Sequence, residues 1–391
     1  MSRILIFTGK GGVGKTSVAA AHARLSAREG KKTLLFSSDM AHNLSDLFEQ
    51  KIGRQETRLS ENLYALEADP DYMMEHDYAY MVRAVVNMLS STGTDTDILD
   101  KGLKFPGMDE MFSLLKILDL YESRKYERIV IDCAPTGETL ALLKFPELLC
   151  WYMEKFFPVG KLAMRVLSPV SKKLFKVQLP DQAAMTDIEK LYVRLIALQE
   201  LLKDRDTVSV RIVTMPEKMV VEETKRNYMY LNLYGYYVDG VYVNRMLPPS
   251  LHNPFFTQWM EMQKKYREEL ADIFQGIPQL EIPWYERDLC GTDSLDRMCD
   301  EVLSGQRVFE VREHKAGEMY EKTETGYTMR VFVPCLKKEQ LDLYQSGTDI
   351  ILKAGNFKRN IALPNILRDY VITGAKIKDQ NVEILFALTG R

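Results

Sequence analysis

The chain has 391 residues, 46 % of them hydrophobic and 27 % charged, a balance that suits one large α/β domain with a smaller companion. Its 52 basic and 55 acidic side chains leave a net charge of −3, which gives no electrostatic case for nucleic acid or an anionic membrane as the main partner. No stretch approaches the roughly 20 consecutive apolar residues of a membrane span, and the first expected strand begins too early to leave room for a signal peptide, so a cytoplasmic protein is expected.

Arg3–Thr8 reads as a buried strand, and Gly9-Lys10-Gly11-Gly12-Val13-Gly14-Lys15-Thr16 follows it at once. This is the pattern G-x-x-x-x-G-K-[ST] of a phosphate-binding loop, with an additional lysine after the first glycine. Glycines let backbone N–H groups turn inward and approach phosphate oxygens closely. Lys15 is placed to reach the β- and γ-phosphates, and the Thr16 hydroxyl to ligate Mg²⁺. Ser17 continues into a helix whose N-terminal dipole favours bound anion. The motif and its flanks together predict a nucleoside triphosphate site.

Lys32–Ser38, Arg128–Cys133, Val208–Thr214 and Gly240–Asn244 also read as strands, with helical patterns at Asp187–Lys203 and Glu217–Leu233. Such alternation predicts a doubly wound, mostly parallel sheet with its ligand at the carboxyl ends of the strands. Two loops after strands carry further carboxylates. Asp39, in Ser37-Ser38-Asp39-Met40-Ala41-His42-Asn43-Leu44-Ser45-Asp46, is placed to orient or deprotonate a water aimed at the γ-phosphate. Asp132, in Ile131-Asp132-Cys133-Ala134-Pro135-Thr136-Gly137-Glu138-Thr139, is placed to act on Mg²⁺ directly or through water, while Gly137 lets a backbone N–H approach the γ-phosphate. Either aspartate alone could be a helix cap. Three such loops in this order favour a shared nucleotide site.

Residues 71–120 and 151–203 interrupt the alternation with helical patterns rich in Met, Leu, Phe and Tyr, and read as helical insertions. Met73, Met74, Met81, Met88, Met108, Met111, Met153, Met164 and Met185 fall there. They could line an adaptable groove for hydrophobic clients or fill an ordinary helical core; the pattern leaves both open. Residues 306–325 read as a charged linker. From Tyr327 onward, short strands (Tyr327–Val333, Gly347–Leu352, Phe357–Ala362, Tyr370–Lys378, Val382–Ala387) separated by turns predict a small all-β sandwich over residues 326–391.

The loop with its second lysine, the Asp39–Asp46 and Asp132–Leu140 segments, and the runs Phe105–Glu110, Met215-Pro216-Glu217 and Val243-Asn244-Arg245 resemble the arsenical pump-driving and tail-anchored-protein-targeting ATPases over roughly residues 1–305. The resemblance implies a P-loop ATPase that uses ATP and Mg²⁺ and works as a homodimer. It implies that Lys10 reaches the partner subunit's phosphates, unless it is a solvated surface lysine. It further implies that Lys15 and Thr16 serve β/γ-phosphate and metal, that Asp39 orients water next to the metal, and that Asp132 meets Mg²⁺ through water. Asn244 is implied to bond the adenine edge, with a turn cap as the alternative. Pro283-Trp284-Tyr285 are implied to flank the base. Met40 stands where the family pattern has proline.

The region after Asn244 lacks the C-x-x-C pair through which eukaryotic targeting members share zinc, and the five cysteines form no C-x-x-C pair anywhere, so reduced, mostly buried thiols are expected. Nitrogenase-reductase-like chemistry lacks its paired cluster cysteines, and a partition ATPase lacks its basic patch or terminal amphipathic helix. The C-terminal run Tyr327–Pro334, Asp349–Pro364, Ala375–Lys378 and Val382–Phe386 resembles a small heat-shock (α-crystallin-like) domain, with a generic sandwich as the alternative. The resulting expectation is a dimeric ATPase switch for hydrophobic client polypeptides, with a membrane receptor as a further partner. An ATP-modulated holdase and the catalytic subunit of an arsenite or anion efflux system are its alternatives. The efflux reading is weakened by the single phosphate loop and by the lack of a recognisable arsenite-binding cysteine cluster.

Overall fold

The computed structural model describes residues 2–39, 43–82, 108–134, 187–312, 318–324, 326–346, 349–367 and 369–388. The chain begins with β1 (Arg3–Thr8), α1 (Lys15–Arg28), β2 (Thr33–Ser37), α2 (Asn43–Leu47), β3 (Thr57–Ser60) and β4 (Leu63–Glu67). A short α3 (Pro70–Tyr72) runs into a π-helical turn (Met73–Asp77), followed by α4 (Met108–Glu122), β5 (Arg128–Asp132), α5 (Asp187–Lys203) and β6 (Val208–Thr214). Next come α6 (Lys218–Leu233), β7 (Val238–Met246), α7 (Pro254–Ile273), β8 (Gln279–Pro283) and α8 (Gly291–Met298). The C-terminal strands are β9 (Glu318–Lys322), β10 (Gly326–Phe332), β11 (Leu341–Ser346), β12 (Asp349–Ala354), β13 (Phe357–Ala362), β14 (Tyr370–Lys378) and β15 (Asn381–Leu388).

The main sheet has eight strands in the order β3-β4-β2-β5-β1-β6-β7-β8. β1, β2 and β6 are buried at every position, as strands covered on both faces must be. β2 pairs in parallel with β4 and β5, and β7 in parallel with β6 and β8, while β3 turns back antiparallel on β4. This is the doubly wound P-loop architecture expected from the alternating pattern. By internal packing the chain divides into one unit of Met1–Ile6, Thr16–Val208 and Leu289–Gly305, and a second of Phe7–Lys15, Ser209–Asp288 and Gln306–Arg391.

In the first unit, α1 packs through small residues (Val18, Ala19, Ala20, Ala21, Ala23), all fully buried. Its far end is tied to α8, where Arg24 grips Asp296 through Nε and Nη2 at 2.8 and 2.9 Å, and to the π-helical turn Cys299–Leu303 that continues it, where Arg28 Nη2 meets Asp300 at 2.8 Å. The start of α3 follows simple rules, with Pro70 in the first turn and the Asp69 carboxylate accepting from the Tyr72 amide. Tyr78 donates to Asp119 on α4, Arg194 on α5 pairs with Asp119 and Glu122, and Tyr78 stacks on Phe112. Met73, Met81 and Met111 are 3 %, 0 % and 1 % exposed, so these three are core residues rather than groove lining. The π-helical turn, α4 and α5 lie in the stretches read as helical insertions; residues 83–107 and 135–186, with Met88, Met153, Met164 and Met185, lie outside the described residues.

In the second unit, two small antiparallel sheets, β14-β15-β10-β9 and β11-β12-β13, form the expected all-β region. Gln345 links them, its amide donating to the Tyr370 carbonyl and accepting from the Ile372 amide. This region docks on α6: Tyr228 meets Phe332 edge-on, Tyr230 meets Phe357 edge-on at 4.8 Å, and the Tyr234 hydroxyl donates to the Lys358 carbonyl. Part of the stretch read as a charged linker is ordered structure. Glu318–Lys322 is an edge strand on β10, disguised by three charged residues in five, and Val308 and Phe309 are buried. The fully buried Arg211 guanidinium fixes Val308, donating to its carbonyl at 2.6 Å while pairing with Asp239 and the Tyr242 hydroxyl. β3, β4, β8 and β11 do not stand out in the sequence: β3 and β11 are edge strands carrying polar residues, and β4 and β8 have only five residues each.

Candidate functional site

The phosphate loop leaves β1 at Thr8 and is held by its own unit. Gly9 lies so close to the neighbouring strand that a Cβ would run into the Val213 carbonyl, and at Gly14, with φ +93°, a Cβ would run into the Asn244 amide. Asn244, near the end of β7 and 7 % exposed, donates from Nδ2 to the Val13 carbonyl at 2.8 Å. Its Oδ1 accepts from the Arg245 amide, also at 2.8 Å. Asn244 therefore clamps the loop and caps the left-handed Arg245 (φ +57°), a turn-capping role the sequence left open beside adenine contact. Lys15 is 7 % exposed, and its ammonium donates to the Lys10 carbonyl at 3.3 Å. The Lys10 side chain pairs with Glu223 on α6 at 3.7 Å.

β7 and β8 also bring up the expected base-side loop. Met246 is in register with Pro283, and the Trp284 amide donates to the Met246 carbonyl at 2.9 Å. Trp284 is 54 % exposed and Tyr285 half-buried. Gln263 on α7 steadies the exit of β7, accepting from the Leu247 amide and donating to the Arg245 carbonyl. The second unit thus gathers Gly9–Lys15, Asn244 and Pro283–Tyr285 around the ends of β7 and β8. Glu223 and Gln263 were not singled out from sequence; only their helical periodicity marks them, and that does not distinguish them from other surface polar residues.

In the first unit, Thr16 and Ser17 occupy the first turn of α1 and are half-buried. Asp39 is half-buried just past β2, its amide donating to Ser37 Oγ at 3.2 Å. Asp132 ends β5 and is fully buried; its backbone carbonyl accepts from the Ser38 amide at 2.9 Å. Ser37 is in register with Asp132 on one side and with Glu67 on the other, so three polar residues end three neighbouring parallel strands. This unit brings Asp39 and Asp132 to adjacent strand ends. Met40, Ala41, His42 and Gly137 lie outside the described residues. Glu67 was missed because β4 was; a polar residue closing an apolar run was its one signal.

Two of the four described cysteines, Cys133 and Cys299, are buried, while Cys290 is exposed and Cys335 half-buried. Burial pushes the Cys299 thiol up to about 12 and the Cys335 thiol up to about 11, so both stay protonated near neutrality. Among the described residues no helix is long and apolar enough to cross a membrane.

Comparison with known proteins gives these sites a context. A family profile described as anion-transporting ATPase matches residues 2–304, and one described as an HSP20-like domain found in ArsA matches residues 324–386. The chain is similar to a protein of Aquifex aeolicus assigned as arsenical pump-driving ATPase 1, with 31 % identity covering 98 % of this chain and 100 % of the relative. It is similar to one of Chlorobaculum tepidum assigned as an arsenical pump-driving ATPase, with 33 % identity covering 99 % and 96 %. It is also similar to ATPase ASNA1 homolog 1 of Paramecium tetraurelia, with 30 % identity covering 77 % and 92 %. With a phosphate loop, strand-end carboxylates and matches of this extent, the chain belongs to the anion-transporting ATPase family and hydrolyses ATP, and it carries an HSP20-like domain at its C-terminal end.

Proposed function

We propose that the protein is a Mg²⁺-dependent homodimeric ATPase whose nucleotide state controls capture and release of hydrophobic polypeptide, membrane-protein segments among them. The observation that carries the nucleotide part is the phosphate loop itself: glycines where a Cβ would collide, and a nearly buried Lys15 whose ammonium bonds a neutral carbonyl. A buried cation is costly without opposite charge, and a triphosphate supplies it. The donor set of Thr16 hydroxyl and Asp39 and Asp132 carboxylates is all oxygen, as Mg²⁺ requires. When bound, that ion neutralises phosphate charge.

On this reading the residues divide the work. Gly9, Gly11, Gly12, Val13 and Gly14 offer backbone N–H groups to the phosphates, Lys15 holds β/γ-oxygens, and Ser17 stands at the positive end of α1. Asp39 holds the attacking water, and Lys10 leaves Glu223 to meet the phosphates of the partner subunit. Gly137 senses the γ-phosphate, and Trp284 and Tyr285 flank the base near Pro283. Support for the client-handling part comes from the Paramecium relative named as an ASNA1 homolog and from the HSP20-like domain docked on α6. We place the protein in the cytoplasm, with a membrane receptor as a further partner.

The test is Asp39→Asn. Mg·ATP affinity should stay within about threefold of wild type while turnover falls about 100-fold, and light scattering should show a dimer retained with ATP. Unchanged turnover with intact binding removes Asp39 from its role. The names of the two bacterial relatives favour a second reading, the energising subunit of an anion exporter. It predicts that arsenite raises ATP turnover, whereas client handling predicts stimulation or retention by a hydrophobic peptide. If Lys15→Ala without ATP suppresses client aggregation as well as wild type, nucleotide only tunes a holdase.

A further inference from the structure

We propose that Glu67 is a positioning residue for ATP turnover, holding from behind the segment that carries Asp39; this rests on the reading of Asp39 as the group that orients the attacking water. Glu67 closes β4 and is 1 % exposed. A carboxylate so deeply buried is costly unless its oxygens are satisfied. Its Oε1 accepts from the Leu44 and Ser45 amides at 3.0 and 3.2 Å, at the start of α2, where amides have no acceptor within the helix. Ser45 Oγ lies between Glu67 Oε2 at 3.2 Å and the Ile52 carbonyl at 3.1 Å, two acceptors for its one proton, and itself accepts from the Ile52 amide at 3.0 Å. The Glu67 amide donates to the Gly53 carbonyl at 3.0 Å, closing the other end of the same excursion.

α2 has five residues, far too few to hold its shape alone, so its place is set by these tertiary bonds. At the other end of the segment, Asp39 is fixed by Ser37 Oγ, and Ser38 by the Asp132 carbonyl. Ser37 is the residue that Glu67 faces in register. Asp39 is thus fastened by β2 and β5 on one side of residues 40–42, and Leu44 and Ser45 by one buried carboxylate on the other. Charge-assisted bonds at a helix start are the strong kind, and a water-orienting group displaced by about 1 Å can lose about 100-fold in rate. These bonds all run to the backbone and hydroxyl of the segment that follows Asp39, and the proposed effect of Glu67 passes through them.

Steady-state turnover, equilibrium Mg·ATP binding and thermal unfolding of full-length Glu67→Leu, Glu67→Gln and Asp39→Asn test this. Glu67→Leu should lower kcat about 10- to 100-fold while the Mg·ATP Kd stays within about threefold. Glu67→Gln should keep at least about a third of wild-type kcat, because the amide oxygen can serve both backbone donors and the amide N–H can turn to Ser45 Oγ. Wild-type turnover in Glu67→Leu overturns the proposal, as does parallel loss of affinity and turnover. A Gln variant as inactive as the Leu variant overturns it too, since charge rather than position would then be at work. Should the Leu variant not fold, Ser45→Ala decides: a kcat about threefold or more below wild type with unchanged Kd supports the role, and unchanged kcat removes it. If Asp39→Asn turns over normally, the reading of Asp39 fails; if it is inactive while Glu67→Leu is active, only the role of Glu67 fails.

Discussion

The phosphate loop and the Asp39 segment both follow parallel strands, yet they are secured by opposite chemistry. The loop is clamped by a neutral amide, Asn244 to the Val13 carbonyl, with room created by glycine. The Asp39 segment is clamped by a carboxylate, Glu67, on the amides of Leu44 and Ser45. The difference follows from what each must meet. A loop that receives polyphosphate cannot be fixed by an anion, since that anion would occupy the same amides or repel the ligand. A segment that must present its own carboxylate forward can be anchored by a second one behind, provided backbone N–H groups absorb the charge.

Reversing the chemistry at Asn244 should have the largest effect. Asn244→Asp removes the donor to Val13 and puts a negative charge beside the proposed phosphate site, and Mg·ATP affinity should fall about 100-fold, near 3 kcal/mol. Asn244→Ala removes only the clamp and should cost about tenfold. Equal losses in the two variants would show that neutrality at this position is irrelevant. Gly14→Ala attacks the same clamp from the loop side. Its left-handed φ of +93° costs a non-glycine residue about 1–3 kcal/mol, and the new methyl must displace the Asn244 amide. Affinity should drop about 30-fold by calorimetry, whereas Gly14→Ala combined with Asn244→Ala should lose little more than Gly14→Ala alone.

What could be read from the sequence divides along the same line. The phosphate loop was legible because its function requires particular residues at fixed spacing; β1, β6 and α5 have the predicted boundaries because their apolar patterns are uninterrupted, and β13 and β14 because turn residues bracket them. Asp39 and Asp132 were legible as carboxylates that end apolar runs. Their supports were not. Glu67 lies 28 residues beyond Asp39 in the chain, at the end of a strand of five residues, and only the register Ser37↔Glu67 brings it into view. Glu223 and Gln263 meet their partners through helix packing, which leaves no local trace. β9 was hidden because Glu318, Glu321 and Lys322 make an edge strand look like a linker, a composition that edge strands adopt against aggregation.

Burial, more than carboxylate chemistry itself, should set how much such an anchor contributes, and Asp296 allows that to be measured against Glu67. Asp296 accepts two bonds from Arg24 and one from Arg28, tying α8 to the helix that follows the phosphate loop, but its side chain is 29 % exposed. The Arg24 hydrogen bonds hold its carboxyl below the usual carboxylate range, with the charges of Arg24 and Arg28 adding to the effect against partial burial. Its folded-state pKa is therefore below the unfolded value of about 4. The stabilisation is present above that unfolded value and is lost as pH falls through the depressed one. Asp296→Asn should thus cost about 1 kcal/mol at pH 7, the upper end for a solvent-screened pair, and the gap from wild type should close below about pH 4 in urea titrations. It should also shrink in 1 M salt. A loss at pH 7 that persists unchanged at pH 3 would mean that the aspartate acts through packing, and that the contrast between its exposed pair and the buried carboxylate behind Asp39 does not rest on charge.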